Sequence, residues 1–263
     1  MDTHTPSLSA DGSLGNNLLY GGNGNDYLGV IGYISGDRSG ISINYVSGNN
    51  TLNGGSGDDN LVINLSDGNN LLSGGDGNDS LFASDSYVVG GVLGNNTLNG
   101  GAGNDYLDVS YSSGDNLLDG GDGNDTLTAS NAIGKNTLKG GNGNDTLIGG
   151  KGNDNLYGEG GTDTFVFNSY QQGSDRIFDF NPINEVIQVS SAGFAGGLSA
   201  GVLKASQFRI GTSVTTSNQR FIYDSTTGAL FFDQDGSAGA FTKVQFAQLS
   251  TGLSLTNNNF VVV

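Results

Sequence analysis

A period of nine residues governs this chain and is clearest at 140–166, which reads as three lines end to end: GGNGNDTLI, GGKGNDNLY and GEGGTDTFV. Each line has glycines near its front, an Asp at the sixth place (Asp145, Asp154, Asp163) and a large apolar residue at the eighth (Leu147, Leu156, Phe165). Glycine permits positive φ and lets carbonyls turn inward in a tight loop, and an Asp ending that loop adds a carboxylate to the cluster of oxygens. Such a loop suits a hard cation. The next three residues alternate outward, inward, outward, so the apolar one faces a core and each line is a turn followed by a short strand.

Upstream, the lines come in pairs, a weak one before a strong one. Strong lines begin at Gly21, Gly54, Gly74, Gly100, Gly120 and Gly140 and carry Asp26, Asp59, Asp79, Asp105, Asp125 and Asp145 at the sixth place. Weak lines such as GSLGNNLLY, GVLGNNTLN, YSSGDNLLD and NAIGKNTLK have mostly lost the leading glycine pair, and their sixth place is Asn: Asn17, Asn50, Asn70, Asn96, Asn116 and Asn136. Turn chemistry alone explains an Asp next to a Gly, but not an Asp fixed at place six with Leu fixed two residues later.

These lines resemble the glycine-rich nonapeptide of the RTX, or haemolysin-type, proteins. The resemblance implies an all-β fold, a calcium-binding parallel β-roll or flattened β-solenoid, followed by a β-rich C-terminal capping region. It implies several Ca2+ ions, with Asp26, Asp59, Asp79, Asp105, Asp125, Asp145, Asp154 and Asp163 as metal ligands. One turn of an RTX roll is two lines, so weak and strong lines are expected on opposite edges. Asn at the weak edge suits stacked amide ladders; those turns read as metal-free, with calcium held through carbonyls in some of them as the alternative. Residues 29–44, GVIGYISGDRSGISIN, lengthen one interval and read as a projecting hairpin, or else as a half coil that would move Asp26 to the other edge.

After Val166 the period stops. Short β-type runs follow (RIFDF, EVIQV, RFIYD, ALFFD, KVQFAQL), with STTG as a hairpin turn between two of them and SAGVLKASQF as one short helix. The stretches SDRIFDF, RFIYDSTTGALFFDQDG and NNFVVV are similar to the terminal region of serralysin-type proteins exported by type I secretion, which implies secretion and type I machinery as a partner. That family commonly has an acid before its final apolar cluster, where this chain has Asn259 before Phe260. The expected division is a polar N-terminal tail at 1–11, the roll at 12–166, and a β-rich cap and secretion region at 167–263.

Composition narrows the function. The 47 Gly against 2 Pro fit a repeat array, and the absence of Cys removes a disulfide framework and any thiolate metal site. A net charge of -17 opposes nucleic acid and favours cationic partners. No apolar run approaches the ~20 residues of a membrane-spanning helix. His4 is the one histidine, and neither a zinc protease motif nor a Ser-His-Asp set can be assembled around it, so the chain is not expected to be an enzyme. Asp233 and Asp235 in DQDG lack the distal Glu of an EF-hand and read as turn residues; Asp175 and Asp179 read as capping and turn residues rather than paired catalytic acids. The expected role is a secreted structural or surface-associated protein. The alternatives are the delivery module of an enzyme or toxin, or an extracellular glycan- or ice-binding module. Against ice, the third place of successive strong turns runs Asn23, Ser56, Asp76, Ala102, Asp122, Asn142, an irregular rank.

Overall fold

A computed structural model describes residues 7–9, 15–31, 33–37, 40–44, 46–84 and 92–263. Most of the tail at 1–11, including His4, lies outside them. The expected parallel β-roll is what forms. Strong turns lead from one sheet to the other along one edge, and weak turns lead back along the opposite edge. Leu18–Asn23, Thr51–Ser56, Leu71–Asp76, Thr97–Ala102, Leu117–Asp122, Thr137–Asn142 and Asn155–Gly160 stack in parallel in one sheet. Tyr27–Ile31, Asn60–Asn64, Ser80–Ala83, Tyr106–Asp108, Thr126–Thr128, Thr146–Ile148 and Thr164–Phe167 stack in the other.

Register holds the eighth-place leucines in line. Leu52 pairs with Leu72, Leu98 with Leu118, Leu107 with Leu127, and all are fully buried between the sheets. A two-layer core one side chain deep follows from the alternation, since every second residue of a strand faces the opposite sheet. Within 29–44, residues 29–31 complete the roll strand Tyr27–Ile31, and Tyr33–Asp37 and Gly40–Asn44 pair antiparallel as a separate two-stranded sheet, as a hairpin does. It adds no half coil, so Asp26 stays on the strong edge.

Both sheets run on past Val166. Val186–Val189 and then Phe260–Val262 continue one in parallel, while Asp175–Ile177 and Val244–Gln248 continue the other. Antiparallel strands Ala229–Phe232 and Phe221–Asp224 follow, joined by the expected turn with Gly228 at φ +81°. Asp233 and Asp235 lie in the connection from Ala229–Phe232 to Val244–Gln248, where their carboxylates accept the Asp235 and Ala240 N–H groups. At this end the leucines give way to packed rings, Phe194 lying edge-on to Phe232 and Phe246 at 5.1 Å. The helix expected over SAGVLKASQF does not form. Gly201–Val202 instead pairs antiparallel with Val261 and Val262, with Gly201 at φ +108°, and only Ala205–Gln207 makes a 3-10 turn. Pairing with the terminal strand holds that stretch extended; the one short α-helix among the described residues is Ser191–Phe194, which buries Phe194.

Candidate metal site

The sixth-place residues form two columns, one on each edge. On the strong edge the backbone N–H of each Asp donates to Oδ1 of the Asp one turn on: Asp26 to Asp59, Asp59 to Asp79, Asp79 to Asp105, Asp105 to Asp125, Asp125 to Asp145 and Asp145 to Asp163, at 2.7 to 2.9 Å. All seven carboxylates are buried. The second oxygen, Oδ2, of each has no hydrogen-bond partner, and Asp26, first in the column, has neither oxygen partnered. An isolated buried carboxylate oxygen is costly, so a column of them marks the place where something positive belongs.

Where those oxygens point is set by the leading glycines. A Cβ added at Gly74 would collide with Asp79 Oδ2 and lie 2.6 Å from the carbonyl of Gly100, one turn on; at Gly100 it would meet Asp105 Oδ2 and the carbonyl of Gly120 in the same way. The first glycine is therefore required by a cradle lined by one carboxylate oxygen and the next turn's carbonyl. Among the described residues, no three acidic or histidine side chains converge on one point. Such a cradle offers at most two carboxylates, with carbonyls making up the remainder, the oxygen-only mixture that calcium accepts. The donor set fits. Calcium bound there would supply the positive charge that the facing carboxylates lack.

Without a cation, burial pushes the Asp105 and Asp145 carboxyls up to about 7 and those of Asp59 and Asp125 to about 6, while Asp79 and Asp163 are also raised. The bond from the preceding N–H opposes the shift, and neighbouring carboxylates reinforce it. At the stacking distance of about 5 Å, two charged carboxylates repel by roughly 1 to 3 kcal/mol.

The weak edge is closed by its own side chains. Each Asn Oδ1 accepts the backbone N–H and the Nδ2 of the preceding turn's Asn, the amide-to-amide bonds running from Asn17 to Asn136 at 2.6 to 3.0 Å. The other Nδ2 hydrogen goes to the glycine carbonyl two residues back, as in Asn116 to Gly114 at 2.8 Å. This is the amide ladder expected from the sequence. At its end the column turns acidic: Asn136 donates N–H and Nδ2 to Asp154 Oδ1 at 2.7 and 3.1 Å, and Asp154 N–H donates to Asp175 Oδ1 at 3.0 Å. Asp154 Oδ2 is left without a partner, and a Cβ at Gly149 would meet it and Asp175 Oδ2 at 3.0 and 2.6 Å. Burial raises both carboxyls, Asp154 to about 7.

Thus the structure places Asp26, Asp59, Asp79, Asp105, Asp125, Asp145 and Asp163 in one column and Asp154 in the other. Asp179 has the capping role expected of it, its carboxylate accepting the Gly158 and Glu159 N–H groups at 3.1 and 2.9 Å. Asp175 does not; it extends the weak-edge column, a place that sequence reasoning missed. Its signal was present, for Asp175 precedes the buried Ile177 by two residues, as Asp154 precedes Leu156. Glu185 stands likewise before the buried Ile187, and burial raises its carboxyl to about 7.

Residues 9–29, 46–63, 62–86, 91–109, 112–132 and 131–165, together more than half of the chain, match the model of the RTX calcium-binding nonapeptide repeat (4 copies). No curated protein matches the chain. Among solved structures it is similar to the extracellular lipase LipA from Serratia marcescens at 20% identity, with a TM-score of 0.22, over 100% of this chain and 41% of that one. The chain thus spans about two fifths of the length of that protein. The repeats, their two columns and the roll they build make the chain a member of the RTX calcium-binding nonapeptide-repeat family.

Proposed function

We propose that this is a secreted protein that folds on binding calcium after type I export, and that it serves as a structural or surface-associated roll rather than an enzyme. The observation that carries the reading is the strong-edge column of buried carboxylates with unpartnered oxygens over glycine cradles. A leucine core one side chain deep offsets little of the entropy of ordering a glycine-rich chain, and the column adds repulsion to that cost. Cation binding to the folded state alone then becomes folding free energy. Extracellular calcium modules bind at about 0.1 to 1 mM, far above cytosolic calcium, so the chain stays open where it is made and orders where it is delivered.

Calcium is assigned chiefly to the strong edge, between successive members of the column from Asp26 to Asp163. On the weak edge, one location near Gly149 has acid ligands, Asp154 and Asp175. Export information is assigned to the C-terminal region by its similarity to type I substrates. Among the described residues, no helix is long and apolar enough to cross a membrane. A cell-surface or glycan partner is to be sought by calcium-dependent binding to whole cells and a glycan panel.

Far-UV circular dichroism tests the folding claim. Little order is expected in chelator and β-structure at millimolar calcium, with magnesium a poor substitute because it demands tighter octahedral geometry. A cooperative melt of a fully folded chain in excess chelator would sink the proposal.

A further inference from the structure

The strong-edge column does not stop where the nonapeptide lines stop. Val186 N–H donates to the Asp163 carbonyl at 3.1 Å, as Thr164 N–H does to the Asp145 carbonyl at 2.8 Å, and Thr164 pairs with Val186 in the sheet. Glu185 therefore occupies the next place on this edge after Asp163, although the turn that carries it, 181–185, has no glycine.

Asp163 is 0% exposed and Glu185 4%. Asp163 Oδ1 accepts the Asp145 N–H at 2.9 Å, while Oδ2 has no partner and lies in the cradle over Gly158. The Glu185 carboxyl reaches this Asp163 carboxylate. The other Glu185 contact is orienting: Oε2 accepts the Asn181 N–H at 2.8 Å. Asn259 then ties the same turn to the end of the chain, its Nδ2 donating to the carbonyls of Pro182 at 2.8 Å and Glu185 at 3.4 Å. An aspartate at 259 has no hydrogen to give them.

We propose that Asp163 and Glu185 form a further divalent-cation site, of the calcium class, which closes the strong-edge column and fastens the C-terminal strands to the roll. The proposal rests on the reading of that column as calcium-binding.

The test uses the full chain and calcium alone. Bound ions are counted by equilibrium dialysis at saturation, and hydrogen exchange at 186–189 and 260–262 is followed as calcium is titrated. Glu185→Gln keeps the Asn181 bond and the side-chain volume, and is expected to bind one ion fewer than the parent. Glu185→Ala should also lose one ion and should raise several-fold the calcium needed to protect 186–189, with protection at 126–148 little changed. An unchanged ion count in Glu185→Gln would overturn the proposal. A parent chain that binds no calcium would instead overturn the reading beneath it.

Discussion

The two edges of the roll stack alike, each sixth-place N–H donating to the side-chain Oδ1 one turn on, and differ in what stands at that place. On the weak edge an amide offers two hydrogens and one acceptor oxygen, and stacking uses all of them: Asn96 Nδ2 bonds both the Gly94 carbonyl and Asn116 Oδ1. On the strong edge the amide NH2 is replaced by a second oxygen, which stacking cannot satisfy; Asp105 Oδ1 takes the Asp79 N–H, and Oδ2 is left over. One group per turn separates a ladder that closes itself from one that needs a cation. The leading glycines complete the difference, because they clear the space in front of the orphaned oxygen.

Protons act on the whole strong column and should have the largest effect. Asp59, Asp105, Asp125 and Asp145 have folded-state values of about 6 to 7, above the ordinary 3.8. A group raised in this way stabilises the folded chain fully only below about pH 4, and the contribution is lost as pH rises through 6 to 7. In calcium-depleted buffer, circular dichroism should therefore show more β-structure at pH 5 than at pH 8. The number of calcium ions bound at a fixed subsaturating concentration should fall as pH drops from 7.5 to 5.5, because protons and cation compete for the same oxygens. A metal-free chain equally disordered at both pH values would argue that carboxylate repulsion is not what holds the roll open.

Single substitutions sharpen the contrast. Asp125→Ala removes a ligand shared by two gaps and should raise the calcium midpoint on the order of tenfold, with fewer ions bound at saturation. Asn116→Ala should lower thermal stability by about 1 to 3 kcal/mol, by stranding the N–H and Nδ2 of Asn96, yet leave the ion count unchanged and shift the midpoint much less. Equal shifts would show that the weak turns bind calcium too. Asn136→Asp should cost about 1 to 3 kcal/mol in saturating calcium without adding an ion, because Asn131 and Ala132 stand where a strong turn has its glycine pair. One extra bound ion would mean that exchanging amide for acid alone separates the edges.

The smallest effect is expected at Glu159, which sits at φ +66° in the second place of its line, where Gly141 and Gly121 occupy the preceding strong turns. Glu159→Gly should raise the melting temperature in saturating calcium by an amount worth about 1 kcal/mol, with no change in ions bound. A fall in melting temperature would show that the Glu159 side chain contributes more than its backbone strain costs.

Much of this was legible because the period fixes two things at once. Asp at place six and Leu at place eight put carboxylates on an edge and leucines in a core, and Asn at place six of the weak lines foretold an edge made of amides. The placement of Asp26 was open, because 29–44 has the alternation of a strand pair whether it projects or coils; the Asp26 N–H to Asp59 bond shows which edge it keeps. Asp175 and Glu185 escaped notice because their turns have no glycine pair, so only the acid and the apolar residue two places later remained of the pattern. SAGVLKASQF carries helix-forming residues, but pairing with the last strand of the chain is a contact some 60 residues away in sequence, which a local reading does not see.

The strong-edge bonds stay at 2.7 to 2.9 Å whether consecutive partners are 18, 20, 26 or 33 residues apart. The stack counts turns and ignores residues, so surplus sequence is expelled sideways, as with the hairpin of Tyr33–Asp37 and Gly40–Asn44. Lengthening such an excursion adds little loop-closure entropy, which grows only slowly with length. The intervals between turns are thus places where a lineage can exchange, extend or delete a surface element while the frame beneath keeps its shape and its dependence on the medium outside.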